Sequence, residues 1–108
     1  FVFKLMQQLK DILYKVQIRS VSGSTAVEIN NLQIDSRKIE KGNCFIAVKG
    51  VVSDGHLYIH KAVEAGAVAV VCETMPVKLT EGITYVEVAS SAEAAGYMAH
   101  HFYGNVSE

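Results

Sequence analysis

The sequence has no basic run, only two cysteines, a single proline and no long apolar stretch. Ten Lys and Arg are scattered among eleven Asp and Glu, for a net charge of −1. A nucleic-acid surface needs a basic stripe, so this balance argues against that partner. It also removes charge steering as the main attraction for an anionic ligand. The longest unbroken apolar run, Ala67 to Cys72, is far too short to cross a bilayer. The first residues are apolar, but Lys4 interrupts them and no small-residue cleavage site follows. No leader peptide is expected, and the expected compartment is the cytoplasm. No C-x-x-C or Cys/His ligand spacing is present, which argues against a zinc site. Cys44 and Cys72 each sit in an apolar, β-rich run and are expected to be buried, reduced thiols.

Catalytic signatures are equally scarce. The sequence holds no G-x-x-x-x-G-K-[ST] phosphate loop, no G-x-G-x-x-G fingerprint and no G-x-S-x-G elbow. His56 and His60 stand four apart, a spacing that metal sites use, but H-E-x-x-H is missing and no third ligand suggests itself. They are expected to be exposed or capping residues, with no metal bound. His100 and His101 are adjacent, so they point to different faces of a helix and read as surface residues near its end.

What is present is one ordinary globular domain, expected over residues 1–104, with 105–108 as the start of a linker. Apolar residues at Leu5, Leu9, Ile12, Leu13 and Val16 predict a helix over 4–16. Residues 20–27 are small and polar, hence loop or irregular strand. Asn31 to Asp35 alternates and predicts a strand with Leu32 and Ile34 inward. Residues 36–42 read as a turn, 44–48 as a buried strand, and 49–55 as a loop with two glycines. A helix is expected from about His56 to Ala65, with Gly66 in the left-handed position after its end. Residues 67–72 predict a central strand covered on both faces. Residues 75–82 form a loop holding Pro76, and 84–88 alternates as a further strand. Ser90 and Glu93 make a capping box for a last helix reaching about Tyr103. The fold class is therefore α/β: a sheet of about four or five strands flanked by helices. The runs at 31–35 and 44–48 lack a helix between them, which disfavours a purely parallel sheet and predicts a mixed one.

Two loops carry the candidate chemistry. Asp35-Ser-Arg37 follows one strand, and Lys49 to Gly55 follows the next. Ligands of open α/β sheets sit outside the carboxyl ends of strands, so both loops border one crevice if the two strands run parallel. The Ser36 hydroxyl would then be free to donate to a base or ribose oxygen, and backbone N–H groups near Gly50 to meet a polar ligand. The plainer alternative is a turn in which Asp35 bonds backbone amides and Arg37 pairs with a carboxylate.

Taken together, Leu32 to Gly42, Phe45-Ile-Ala-Val-Lys-Gly50, Asp54-Gly-His56 and Ile59-x-x-Ala62-Val-x-x-Gly66-Ala67-Val-Ala-Val-Val form an ordered set. That set resembles the N-terminal domain of the Mur ligases, which build the peptidoglycan stem peptide on a uridine-diphosphate sugar. The Phe102-Tyr-Gly104 ending and the helix start His56-Leu-Tyr-Ile59 look most like the members that add the third residue, diaminopimelate or lysine. A D-alanyl-D-alanine-adding member and a stand-alone regulatory or interaction module are the alternatives. The resemblance implies that Ile34 and Ser36 contact the uridine end of UDP-N-acetylmuramoyl-dipeptide. It implies the same for Val51, Val52 and Ser53, where the family often carries His-Gln-Ala. That departure leaves backbone contacts and Ser53 as the means. Asp35, Arg37, Lys49 and Gly50 are candidate supporting residues. No catalytic residue, metal or cofactor is expected in this stretch. ATP and magnesium are expected in the complete ligase, whose central ATPase and C-terminal domains would be this domain's partners.

Overall fold

The computed structural model describes residues 7–50 and 54–104. Its central sheet is built on two strands that the apolar runs predict well. These are β5 (Asn43–Ile46) and β6 (Ala69–Cys72), every residue of which is buried. Their side chains alternate between two cores. Cys44, Ile46, Ala69 and Val71 enter one, while Phe45, Val70 and Cys72 enter the other. A strand buried on both faces needs a layer on each side, as the unbroken apolar run implies. Both cysteines are free and buried.

Three more strands complete the sheet: β4 (Asn31–Gln33), β7 (Thr84–Val88) and β2 (Ile18–Ser22). The order is β2-β7-β6-β5-β4. β4, β5, β6 and β7 are mutually parallel, and β2 pairs antiparallel with β7. The sheet is mixed, as expected, but for a different reason. The pair expected to break the parallel pattern, 31–35 with 44–48, is parallel. The chain returns from β4 to β5 without an α-helix, through a short 3-10 turn at Ser36–Lys38. The antiparallel member is β2, whose residues 20–22 fall in the segment read as loop or irregular strand. β2 is an edge strand with four of its five residues exposed, so it lacks the apolar signal of the inner strands.

The first helix is far shorter than predicted. The expected residues 4–6 lie outside the described residues. Gln7–Gln8 form β1, which pairs antiparallel with β3 (Glu28–Ile29). α1 spans only Leu9–Ile12, and Lys15 adopts a left-handed φ of 70° three residues later. The N–H groups of Leu9 and Lys10 donate to Val27 O and Thr25 O, at 2.9 and 2.8 Å. The loop carbonyls thus close the helix start. Leu9, Ile12 and Leu13 are nevertheless buried, so the periodicity identified the correct inward residues.

α3 (Ser91–Gly104) lies on the same side as α1, and Met98 and Phe102 pack into their shared core. Ser90 Oγ accepts from the Glu93 N–H at 3.2 Å, as the capping box requires. His101 is more than a surface residue. It is half-buried, and its Nδ1 sits 3.1 Å from Ile12 O, tying α3 to α1. On the opposite face lies α2 (Ile59–Ala65), preceded by a 3-10 turn at Gly55–Tyr58. Ile59 and Ala62 are its buried residues. No helix among the described residues is long and apolar enough to cross a membrane.

Candidate functional site

Because β4 and β5 run parallel, their carboxyl ends open on the same edge of the sheet. There the chain leaves β4 into the Asp35-Ser-Arg37 turn and leaves β5 toward Gly50. Between them lies a crevice of about 600 Å³. Ile34, Asp35, Ser36 and Arg37 form one wall, with Phe45, Val48 and Gly50 behind. Gly55, Tyr58 and Lys61, from the turn before α2 and from α2 itself, complete it.

The turn is held by its own polar groups. Asp35 Oδ1 accepts from the Arg37 backbone N–H at 2.9 Å and from Arg37 Nε at 3.0 Å. Asp35 Oδ2 accepts from Arg37 Nη2 at 3.0 Å. This bidentate pair holds the Asp35 carboxyl down at about 2 and raises the Arg37 guanidinium. The plainer expectation for these two residues is therefore realised, for they build the turn. Ser36 makes none of these bonds, and its hydroxyl has no partner among the described residues. Its side chain lines the crevice with donor and acceptor capacity unused.

Ile34 was expected to point inward with Leu32. Leu32 is buried, but Ile34 lies one residue past the end of β4 and is 60% exposed. It gives the crevice an apolar lip. Lys49 does not line the crevice. Its ammonium faces the Glu73 carboxylate at 4.0 Å. Val51, Val52 and Ser53 lie outside the described residues.

Tyr58 and Lys61 were not anticipated. They stand three apart, so they share one face of the turn and helix that opens at Tyr58. That spacing was legible, but only the packing of α2 shows that the face meets the ends of β4 and β5. Gly55 was also missed as a wall residue. A side-chain carbon there would lie 2.9 Å from Val48 N and 3.0 Å from Val48 O. Its N–H donates to Val48 O at 2.9 Å, so only a glycine lets the turn sit this close to the end of β5.

The two histidines differ. His60 is exposed and meets Glu64 at 3.0 Å. His56 is neither exposed nor a simple cap, since its side chain is only 13% exposed and both ring nitrogens are engaged. Among the described residues, no group of three or more His, Cys, Asp or Glu is placed to hold a metal ion.

The arrangement has the features of a binding crevice. It offers an apolar lip, an aromatic wall, an uncommitted hydroxyl, an exposed ammonium and backbone close at hand, which is the usual makeup of a small-molecule site.

Comparison with known proteins identifies the family. A family model described as "Mur ligase family, catalytic domain" matches residues 28–103. The chain is 47% identical over 100 residues to a UDP-N-acetylmuramoyl-L-alanyl-D-glutamate–2,6-diaminopimelate ligase of Bacteroides fragilis, covering 93% of this chain and 21% of that protein. It is 50% identical over 101 residues to the enzyme of the same name from Cytophaga hutchinsonii, again covering 93% and 21%. Among solved structures, MurF from Acinetobacter baumannii matches with a TM-score of 0.76 at 22% identity, over 92% of this chain and 21% of that one. MurF from Thermotoga maritima matches with a TM-score of 0.60 at 31% identity, over 69% and 17%. The chain thus spans about a fifth of the length of the curated relatives it matches. The mixed five-stranded sheet is the fold of those neighbours, and with the family model matched across most of its length the chain belongs to the Mur ligase family.

Proposed function

We propose that the crevice between the Ile34–Arg37 turn and Tyr58 holds the uridine end of a UDP-N-acetylmuramoyl-dipeptide. The domain would do so for an ATP-dependent ligase that adds diaminopimelate as the third residue of the peptide. One observation carries this reading: Ser36 presents an unpartnered hydroxyl to a crevice shared by the two loops that follow parallel strands. The relatives named above, at 47% and 50% identity, support diaminopimelate over the D-alanyl-D-alanine-adding reaction.

Ile34 and Tyr58 would flank the planar base, and Ser36 would bond a base or ribose oxygen. Lys61, at the crevice rim, would meet the anionic end of the nucleotide. Backbone groups around Gly50 would supply further contacts, with Val51, Val52 and Ser53 next in the chain. ATP and magnesium do not fit these residues: the sequence has no phosphate loop, and the described residues hold no metal-ligand cluster. Both belong, on this reading, to the remainder of the ligase. The contribution of this chain is binding energy at a remote part of the substrate. Such energy orients the reacting carboxylate and lowers the entropic cost of the reaction.

The test is Ser36→Ala in the complete ligase. A lost neutral hydrogen bond should raise the KM for the nucleotide substrate by about 2- to 15-fold. The contact is present in ground and transition states alike, so kcat should change little. The melting temperature should stay put, because Ser36 holds no part of the turn. A lowered melting temperature with an unchanged KM would reverse the assignment.

A further inference from the structure

The nucleotide reading leaves His56 unexplained, although both of its ring nitrogens are engaged beside the crevice. The Glu73 backbone N–H donates to His56 Nε2 at 2.8 Å. An amide N–H has only a hydrogen to offer, so Nε2 must present its lone pair. The ring proton then sits on Nδ1, where it points at Asp54 Oδ1, 2.7 Å away. The same carboxylate oxygen accepts from the His56 backbone N–H at 2.9 Å. Chemistry on both sides of the ring selects one neutral tautomer.

The ring links three parts of the fold. Asp54 forms an isolated antiparallel bridge with Lys49, across the mouth of the segment that follows β5. Glu73 lies just past the end of β6, and its Oε2 accepts from the Ser91 N–H at the start of α3, at 2.8 Å. Its Oε1 faces Lys49 Nζ at 4.0 Å. His56 therefore fixes the Asp54–Gly55 end of the crevice wall to the central sheet, and through Glu73 to α3. Gly55 and Tyr58, both crevice residues, stand one residue before it and two after it.

We propose that His56 is a positioning residue for the nucleotide crevice, acting as the neutral Nδ1–H tautomer that clamps Asp54 to the Glu73 amide. This inference rests on the nucleotide reading of the crevice. Without the ring, the Glu73 N–H loses its acceptor and the Asp54 carboxylate keeps only the His56 backbone N–H, so the turn that carries Gly55 and Tyr58 loses its side-chain tie to the end of β6.

Two measurements on the complete ligase test the clamp. The first needs no variant. Long-range proton–nitrogen correlation of the His56 ring should show Nδ1 protonated and Nε2 bare; an Nε2–H tautomer would overturn the proposal. The second compares His56→Ala and His56→Gln with Ser36→Ala. Loss of a charge-assisted bond should raise the nucleotide KM of His56→Ala by about fivefold or more, with kcat within about twofold of the parent. His56→Gln retains a carbonyl oxygen able to accept from the Glu73 N–H, so it should recover part of that loss even if the alanine variant folds poorly. A raised KM in Ser36→Ala with parental KM in both His56 variants would sink the clamp alone. Parental KM in all three variants would sink the nucleotide reading and the clamp with it.

Discussion

The Gly66 backbone runs directly against that of Lys41, so that a side-chain carbon on Gly66 would lie 2.7 Å from Lys41 Cα and 2.9 Å from Lys41 N. The Gly42 N–H donates to Gly66 O at 3.0 Å across the same contact. Gly66 also has a φ of 123°, which side chains rarely adopt. One glycine thus ends α2 and packs that end onto the turn before β5.

Gly66→Ala should therefore destabilise the domain for two separate reasons, backbone strain and a clash with backbone that cannot move aside. Strain alone costs about 1–3 kcal/mol. Thermal or urea unfolding should show a loss of at least that size. By contrast, Gly96→Ala, where nothing beyond the neighbouring residues and the backbone of its own helix lies within 4 Å of the added carbon, should be neutral or stabilising. Equal effects at the two positions would contradict the close approach.

Much of this fold was legible in the sequence, and the failures have identifiable causes. Residues 44–48, 67–72 and 84–88 announce themselves because a strand between two cores must be apolar on both faces, or alternate where one face is wetter. β2 is silent because an edge strand with Arg19 and Ser20 exposed carries no such demand. The first helix was overextended because periodicity reports which residues are buried. It does not report that Gln7 and Gln8 will pair with Glu28 and Ile29. At the site, the Asp35–Arg37 turn was readable from adjacent residues. The role of His56 was not, because its partner Glu73 lies 17 positions away and contributes only a backbone N–H.

The two thiols give the domain an alkaline signature. Burial pushes Cys44 up to about 12 and Cys72 up to about 11, the latter with help from the Glu87 charge. An unfolded thiol ionises near 9.0. Above that pH the unfolded chain releases thiol protons that the native protein retains, so stability falls as pH rises. The thiol contribution is complete below pH 9.0 and is lost as the pH climbs through about 11 to 12. Replacing both cysteines by alanine should flatten the stability curve in that window. In the native protein at neutral pH, a bulky thiol reagent should label neither residue until the protein unfolds. Rapid labelling of either would contradict the burial.

Asp35 gives the opposite signature. The Arg37 side chain, then its backbone N–H, hold the Asp35 carboxyl at about 2, below its ordinary 3.8. The pair's contribution is present above pH 3.8 and is lost as the pH falls through about 2. Carboxyl-carbon NMR should show Asp35 titrating near 2, and Arg37→Ala should move it back toward 3.8. The pair faces solvent, so salt should screen it and the effect on overall stability should be small. An Asp35 that titrates normally in the parent protein would show that the bidentate pair does not form.

The central claim is that the uridine sits between the Ser36 turn and Tyr58. Photo-crosslinking tests it most directly, using the complete ligase and a 4-thiouridine analogue of its UDP-sugar peptide, followed by peptide mapping. The account predicts crosslinks confined to the peptides that contain residues 34–37 and 50–61, and competed away by the natural nucleotide. Competable crosslinks on β2, α1 or α3, across the sheet from the crevice, would contradict it.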